Sequence, residues 1–262
     1  MDTERDIRLT FDGVADVYDR VRPSYPAELF DVLFDALPAQ PKVLEVGPGT
    51  GQATASLLER GAHVTAVELG PALARAVEAK FKDHPGLAVV NAAFETAPVP
   101  ERAFDAVTVA TAYHWIEERA QVERPVAVLK PGGLLGVIDL IQIDSASDHG
   151  YFDQVQPIYD RYGGSRSSWE PKTYTTVDPG IAERLRDSVL YTSVDVHRVP
   201  WNQTYSAAQY RDLLWTHSGT QMMTEPDRSA MVDELIAVVD NDFGGTITRP
   251  LCATLTLATT RS

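Results

Sequence analysis

Short apolar runs, separated by segments of helical character, fill the region from about residue 42 to about residue 140. The runs are rich in valine, leucine and isoleucine, and they are Lys42–Val46, His63–Leu69, Leu87–Asn91, Phe104–Ala110 and Leu134–Leu140. Continuous apolar runs that alternate with helices are typical of a parallel sheet covered on both faces. The pattern predicts an α/β fold in which helices such as Gln52–Arg60 and Ala72–Phe81 pack on a central sheet.

Residues 41–143 form this predicted core, and the segments before and after it have different sequence patterns. Residues 1–40 are predicted to form a helical N-terminal lid, because Pro26–Leu37 carries apolar residues at helical spacing. Residues 144–180 contain no clear strand and many aromatic residues, which predicts a cap over a substrate. A helical insertion that packs its own small core explains the same segment equally well. Residues 181–262 are predicted to complete the sheet, so the whole chain forms one domain.

A glycine-rich loop follows the first apolar run and leads directly into a helix. It contains Gly47, Gly49 and Gly51. Glycine permits a positive φ and lets a ligand approach the bare backbone, while the N–H groups at the helix start point toward that ligand. The loop therefore predicts a site for a nucleotide-like cofactor. A dinucleotide site requires the spacing G-x-G-x-x-G, whereas Gln52 takes the third glycine position here, so an NAD-dependent oxidoreductase is a less favoured alternative.

An acidic residue, Glu68, stands near the end of the second apolar run. A carboxylate at the tip of the second strand can accept hydrogen bonds from both hydroxyls of an adenosine ribose. Alone, Glu68 would be an ordinary exposed charge at a strand end. Together with the glycine loop, it predicts a ribose-binding residue.

The pattern E-x-G-x-G-x-G from Glu45 to Gly51, with an acidic residue closing the second strand, resembles the motifs of class I S-adenosylmethionine (SAM)-dependent methyltransferases. Further stretches resemble successive signatures of that family: Asn91–Pro100, Phe104–Val107, Ala112–Trp115 and Leu129–Gly133. The N-terminal pattern from Phe11 to Pro26 extends the likeness to a branch that contains trans-aconitate methyltransferase-like and quinone-biosynthesis enzymes. The resemblance implies a Rossmann-like seven-stranded mixed sheet with its last strand antiparallel, flanked by helices, with N-terminal helices and an inserted cap. It also implies SAM as the cofactor, bound at the carboxyl ends of the first strands.

The resemblance assigns cofactor contacts to individual positions of these motifs. Glu45 opens the loop motif, and Glu68 would hold the ribose. Residues of the loop and of the N-terminal lid would contact the methionine half of SAM: Gly47, Gly49, Gly51 and Tyr18.

The remaining cofactor positions follow the second, third and fourth strands. Leu69, Ala93 and Phe94 would surround the adenine. Many relatives have an aspartate where Ala93 stands, so adenine binding would depend on stacking against Phe94. Ala110 and Thr111 would lie beneath the sulfonium.

His114 follows the fourth strand and is the candidate catalytic residue, because histidine is the common base at neutral pH. A histidine fixed by local packing is the alternative. A base is needed only if the methyl acceptor is protonated at neutral pH, and a carboxylate acceptor is not. The branch resemblance implies a small carboxylic acid, methylated on oxygen, as one substrate class. Arg161 and Arg166, within the predicted cap, could clamp such a carboxylate.

The amino-acid composition argues against several classes of binding partner. The formal charge of −14 and pI near 4.8 argue against binding nucleic acid. The single cysteine, Cys252, excludes an internal disulfide and is predicted to pack in a late strand. No two histidines have the spacing of helical metal ligands, so no metal is predicted. The N-terminus lacks the pattern of a signal peptide, and no apolar run approaches the roughly 18 residues of a membrane span. These features predict a cytoplasmic protein that does not contact a membrane.

The sequence therefore predicts SAM-dependent methyl transfer to a small organic molecule by a monomer or homodimer. A methyltransferase that acts on a protein or RNA is the nearest alternative. A non-catalytic SAM-binding protein on the same scaffold is another, since a fold does not determine a function.

Overall fold

The computed structural model describes residues 24–144, 146–163 and 173–261. Its strands, β1 to β7 in chain order, are Lys42–Val46, His63–Glu68, Leu87–Asn91, Phe104–Ala110, Leu129–Gln142, Tyr191–Ser206 and Thr246–Thr260. The α-helices of these described ranges, α1 to α9, are Ala27–Asp35, Gln52–Glu59, Pro71–Lys80, Glu118–Val128, Tyr151–Arg161, Gly180–Asp187, Ala207–Trp215, Ser218–Gln221 and Glu225–Asp242.

The strands form one seven-stranded sheet in the order β3-β2-β1-β4-β5-β7-β6. β7 pairs antiparallel with β5 and with β6, and the other neighbours are parallel. This confirms the predicted Rossmann-like mixed sheet with an antiparallel last strand and flanking helices. The strand order reverses between β1 and β4, and in doubly wound sheets a ligand binds outside the carboxyl ends of the strands at this point.

β5 is longer than the apolar run Leu134–Leu140 predicts. β5 was expected to begin at Leu134, but it starts at Leu129, which pairs with Phe104, and it continues to Gln142, which pairs with Leu251 of β7. The extra length is stabilised by this long-range pairing, which no local pattern reveals. As a result β5, β7 and β6 extend beyond the carboxyl ends of the other strands.

Helices cover both faces of the sheet. On one face α1 and α2 bury Leu29, Leu33 and Leu57 completely, and on the other face α4 and α6 bury Val128 and Leu185. Burial of each such side chain contributes roughly 1.5–3 kcal/mol before the entropy of ordering is subtracted. The sheet is therefore the middle layer of three, packed against helices on both sides.

A second helical layer packs on the extended part of β6 and β7. Its core is aromatic: the ring of Tyr151 makes edge contacts with Phe152, Tyr210 and Phe243, at centroid distances of 5.1, 5.7 and 5.3 Å. We call this layer, formed by α5, α7, α8 and α9, the helical cap. It combines part of the predicted cap segment with helices from the end of the chain. The packing of α5 fits the packed-insertion alternative, and the mobility of residues 144–180 and the predicted domain boundaries stay predictions.

Some expectations fall partly outside the described residues. The structure does not describe residues 1–23 of the predicted N-terminal lid or residues 164–172 of the predicted cap. In the part of the chain that the structure describes, no helix has the length and apolar character needed to cross a membrane. The same part contains no group of three or more histidine, cysteine or acidic side chains that could hold a metal ion. Cys252 is buried in β7.

Candidate cofactor and substrate cavity

The loop between β1 and α2 depends on glycine at positions with different neighbours. Gly47, Gly49 and Gly51 have φ values of +65°, +58° and +90°. A Cβ on Gly47 would lie 2.7 Å from the Cβ of Ala112, and one on Gly51 would lie 2.5 Å from Cε2 of Phe81. Gly47 therefore permits the loop to approach the segment after β4, whereas Gly51 makes room for a side chain at the end of α3.

Glu68, at the end of β2, holds two loops together. Its side chain is buried, and its Oε2 accepts a hydrogen bond from the N–H of Gly49 at 3.1 Å while its Oε1 accepts one from Gly70 at 2.9 Å. From β3, Nδ2 of Asn91 donates to the carbonyl oxygens of Glu68 and Leu69 at 2.8 and 3.0 Å. These contacts fix the orientation of the carboxylate at the carboxyl end of the sheet.

Glu45 lies within the sheet beneath the loop. It is 1% exposed, its Oε2 accepts a hydrogen bond from Oγ1 of Thr54 at 2.7 Å, and its buried Oε1 has no hydrogen-bond partner. The pKa of Glu45 is raised to about 7: burial is the main cause, the hydrogen bonds from Thr54 partly oppose the shift, and the charge of Glu68 adds to it. Glu45 therefore supports the loop from below and carries a proton for part of the time near neutral pH.

The end of β4 carries backbone strain. Thr111 has a φ of +53°, a conformation that a β-branched residue rarely adopts and that costs on the order of 1–3 kcal/mol. Its N–H donates to the carbonyl of Ile138 at 2.8 Å, and its Oγ1 lies 3.0 Å from Oη of Tyr25. Such strain is concentrated at functional sites, and here the strained residue forms the turn directly after the carboxyl end of β4.

A short 3₁₀ turn, Tyr113–Trp115, follows directly. Oη of Tyr113 donates to the carbonyl of Gln121 at 2.6 Å, and Nε2 of Gln121 donates back to the carbonyl of Tyr113 at 3.1 Å. This reciprocal pair holds His114 at the surface of the crevice, with its ring 4.7 Å from that of Trp115. Partial desolvation by the surrounding protein lowers the pKa of His114, so its imidazole is largely neutral at neutral pH.

These elements enclose a cavity of about 1230 Å³ between the carboxyl ends of the strands and the helical cap. The sequence-predicted site residues that line it are Gly47, Gly49, Glu68, Leu69, Ala93, Phe94, Ala110, Thr111 and His114. Glu45 and Gly51 are not among the lining residues and support the loop from outside. Tyr18 lies outside the described residues. The structure therefore brings together groups that follow four different strands.

Several other lining residues were not predicted from the sequence. They include Tyr25 before α1, Asp139 and Gln142 on β5, Arg249 on β7 and Tyr210 on α7. Burial raises the pKa of Asp139. Polar residues within or just after apolar runs were the only indication of these positions in the sequence. Whether such residues reach the cavity depends on how far β5 and β7 extend.

Arg161, one of the two arginines proposed from the sequence, is not among the residues that line the cavity. Nη1 of Arg161 pairs with Oε2 of Glu234 at 2.6 Å, and both side chains are exposed on the outside of the cap. Arg161 is therefore not positioned to clamp an acceptor in the cavity. Arg166 lies outside the described residues.

The doubly wound sheet, the glycine loop and the acidic end of β2 define the class of α/β proteins that bind an adenosine-containing cofactor. Residues 44–137 match the methyltransferase domain family. An uncharacterized methyltransferase of Mycobacterium tuberculosis strain H37Rv is 30% identical over 216 residues, which are 82% of this chain and 79% of that protein. The chain therefore belongs to the class I SAM-dependent methyltransferases.

Other relatives resemble the chain in fold or over a short segment. The YcgJ protein of Bacillus subtilis has the same fold, with a TM-score of 0.57 and 18% identity over 89% of this chain and 98% of that one. An rRNA adenine N-6-methyltransferase of Saccharopolyspora erythraea is 45% identical over 62 residues, which are 24% of this chain and 16% of that protein.

Proposed function

We propose that this methyltransferase transfers the methyl group of SAM to a small organic molecule within the cavity, and that a carboxylic acid methylated on oxygen is the leading substrate class. The observation that carries the proposal is the cavity itself. The glycine loop and Glu68 form one side of it, and aromatic residues of the helical cap form the other. A cavity bordered on these two sides can hold two small molecules against each other, which supports the positioning that methyl transfer requires.

The lining residues fit SAM. Gly47 and Gly49 would hold its methionine half, Glu68 its ribose, and Phe94, with Leu69 and Ala93, its adenine. Ala110 and Thr111 would lie beneath the sulfonium, whose methyl group is already activated for transfer when the cofactor is bound. The chain then has only to orient the acceptor and keep water out. Tyr18 remains a proposed contact from the N-terminal lid.

An RNA acceptor is less favoured by the chain's charge. A formal charge of −14 opposes binding of a phosphate backbone, which requires clusters of lysine and arginine. The match to the rRNA methyltransferase covers 24% of the chain, too little to transfer a substrate class. A protein acceptor would need an open groove, whereas this cavity is bordered by the cap.

The cofactor assignment predicts that SAM and S-adenosylhomocysteine bind and that NAD binds far more weakly. Glu68→Ala should weaken SAM binding by about 1.5–3 kcal/mol, the usual contribution of hydrogen bonds to a charged group. Calorimetric titration measures both effects, and Glu59→Ala, at an exposed position of α2, is the matched control that should bind normally. Mass spectrometry of metabolite pools incubated with SAM then identifies the methylated product. NAD binding as tight as SAM binding would exclude the proposal.

The role of His114 can be read from the pH dependence of the rate. A carboxylate is ionised above about pH 5, so its methylation should vary little between about pH 6 and 8, and His114→Ala should retain most of the rate. If His114 instead removes a proton from the acceptor, the lowered pKa keeps it active at neutral pH. The rate would then fall only in the acid range, and the mutant would lose both the rate and this pH dependence. That outcome would contradict simple carboxylate methylation.

A further inference from the structure

Arg249 is a cation in the cavity wall, and no acidic side chain of the described residues forms an ion pair with it. Its Nη2 donates to Oε1 of Gln142 at 3.3 Å, and its Nε is shut off from solvent without a hydrogen-bond acceptor. Among residues 24–144, 146–163 and 173–261, no carboxylate lies within 4.0 Å of its guanidinium nitrogens. Arg249 is half-buried, and a charge partly withdrawn from solvent is stabilised when an anion pairs with its guanidinium.

The strand register places a second donor beside it. Gln142 lies opposite Leu251, and Arg249 is two residues from Leu251, so the three side chains share one face of the sheet. Nε2 of Gln142 is also buried without an acceptor. Asp139 is three residues from Gln142 and therefore lies on the other face, so it does not neutralise Arg249. The guanidinium of Arg249 and the side-chain amide of Gln142 therefore lie next to each other in the cavity wall.

The surroundings of this point are apolar and aromatic. The helical cap contributes Tyr210, Leu213 and Met231 to the same cavity, and β6 contributes Tyr205. Tyr210 is 2% exposed, and its burial raises its pKa, so its ring remains a neutral phenol beside Arg249. This part of the cavity suits a molecule with an apolar or aromatic body that ends in an anionic group.

The anion position is separated from the end of β4. Ala110 pairs with Ile138, and Gln142 lies four residues further along β5, a rise of about 13 Å at 3.3 Å per residue. Oxygens paired with a guanidinium also have their lone pairs engaged and are poor nucleophiles. We propose that Arg249 and Gln142 bind a carboxylate or phosphate group of the methyl acceptor other than the group that is methylated, and that this anchors the acceptor at the end opposite its reacting atom. The position of the reacting atom rests on the proposed function, whereas the anion site does not.

Matched probes test the site. The full-length protein is titrated calorimetrically with 4-phenylbutyrate, with its neutral amide, and with 3-phenylpropylphosphonate, each with and without S-adenosylhomocysteine. The acid should bind at least about tenfold more tightly than the amide, since hydrogen bonds between charged groups are stronger than those to a neutral amide. The anion that binds more tightly, 4-phenylbutyrate or 3-phenylpropylphosphonate, shows whether the site prefers a carboxylate or a phosphate group. Equal affinity for acid and amide, or no binding of either anion at millimolar concentration, would overturn the proposal.

Variants link the preference to the two residues. Arg249→Met should abolish the preference for the acid, and Arg161→Met, on the outer surface of the cap, should keep it. Gln142→Glu provides a second variant if Arg249→Met fails to fold, because it supplies an internal carboxylate to the guanidinium. It should abolish the acid preference without lowering the unfolding temperature. An acid preference that survives in folded Arg249→Met or Gln142→Glu would overturn the site. Titration of S-adenosylhomocysteine alone separates this result from a failure of the proposed function.

Discussion

A Gly47→Ala variant is expected to remain folded and to lose about a hundredfold in affinity for SAM, equivalent to roughly 2.7 kcal/mol. Alanine at a φ of +65° is strained by about 1–2 kcal/mol, and its Cβ would lie 2.7 Å from that of Ala112. Neither Cβ can rotate away, so the loop or the segment after β4 must shift. Both line the cavity, and the shift would displace Gly49 and its contact with Glu68. Calorimetric titration with S-adenosylhomocysteine measures the loss.

Gly61→Ala separates the clash from the backbone strain. Gly61 has a φ of +83°, but a Cβ there would meet nothing within 4 Å, and the residue lies in the turn between α2 and β2, away from the cavity lining. This variant should lose stability and keep its affinity. If Gly47→Ala is folded and binds S-adenosylhomocysteine as the wild type does, the loop does not contact the cofactor.

The half of the site that could be predicted depends on local signals. A buried strand, a glycine turn and a helix start lie next to each other in the sequence, and Glu68 ends the next strand at the same sheet edge. The bounds of β1, β3 and β4 follow from their apolar runs alone. Because parallel strands end at the same edge, residues after β1, β2, β3 and β4 are brought together by the topology.

The other half depends on contacts between distant segments. Nothing local distinguishes Gly47 from Gly51, since their neighbours Ala112 and Phe81 are set by tertiary packing. Arg249 enters the cavity because β5 and β7 extend together beyond the rest of the sheet. Arg161 looked suitable by its position in the chain, but the orientation of α5 directs it toward Glu234. Long-range register and helix orientation are therefore what the sequence left undetermined.

Replacing Glu45 by glutamine should stabilise the protein at neutral and alkaline pH. The pKa of Glu45 is raised from 4.5 to about 7 in the folded state, chiefly by burial. Below about pH 4.5 the carboxyl is protonated in both states and carries no penalty. As the pH rises toward 7 the unfolded state ionises first, so stability is lost progressively, up to on the order of 3 kcal/mol. Glu45→Gln stays neutral and escapes this loss.

The measurement is the difference in unfolding free energy between Glu45→Gln and the wild type, from denaturant titrations at several pH values. Taking the difference cancels the titration of the other carboxylates that the two proteins share. It should grow in favour of the variant between about pH 4.5 and 7 and level off above that. Thr54→Val removes the hydroxyl that donates to the carboxylate at 2.7 Å, a bond that favours the ionised form, so it should cost more stability at about pH 8 than at about pH 4. A difference between Glu45→Gln and wild type that is constant across this range would mean that the pKa of Glu45 is not raised in the folded state, and that the carboxyl beneath the loop ionises there as it does in the unfolded chain.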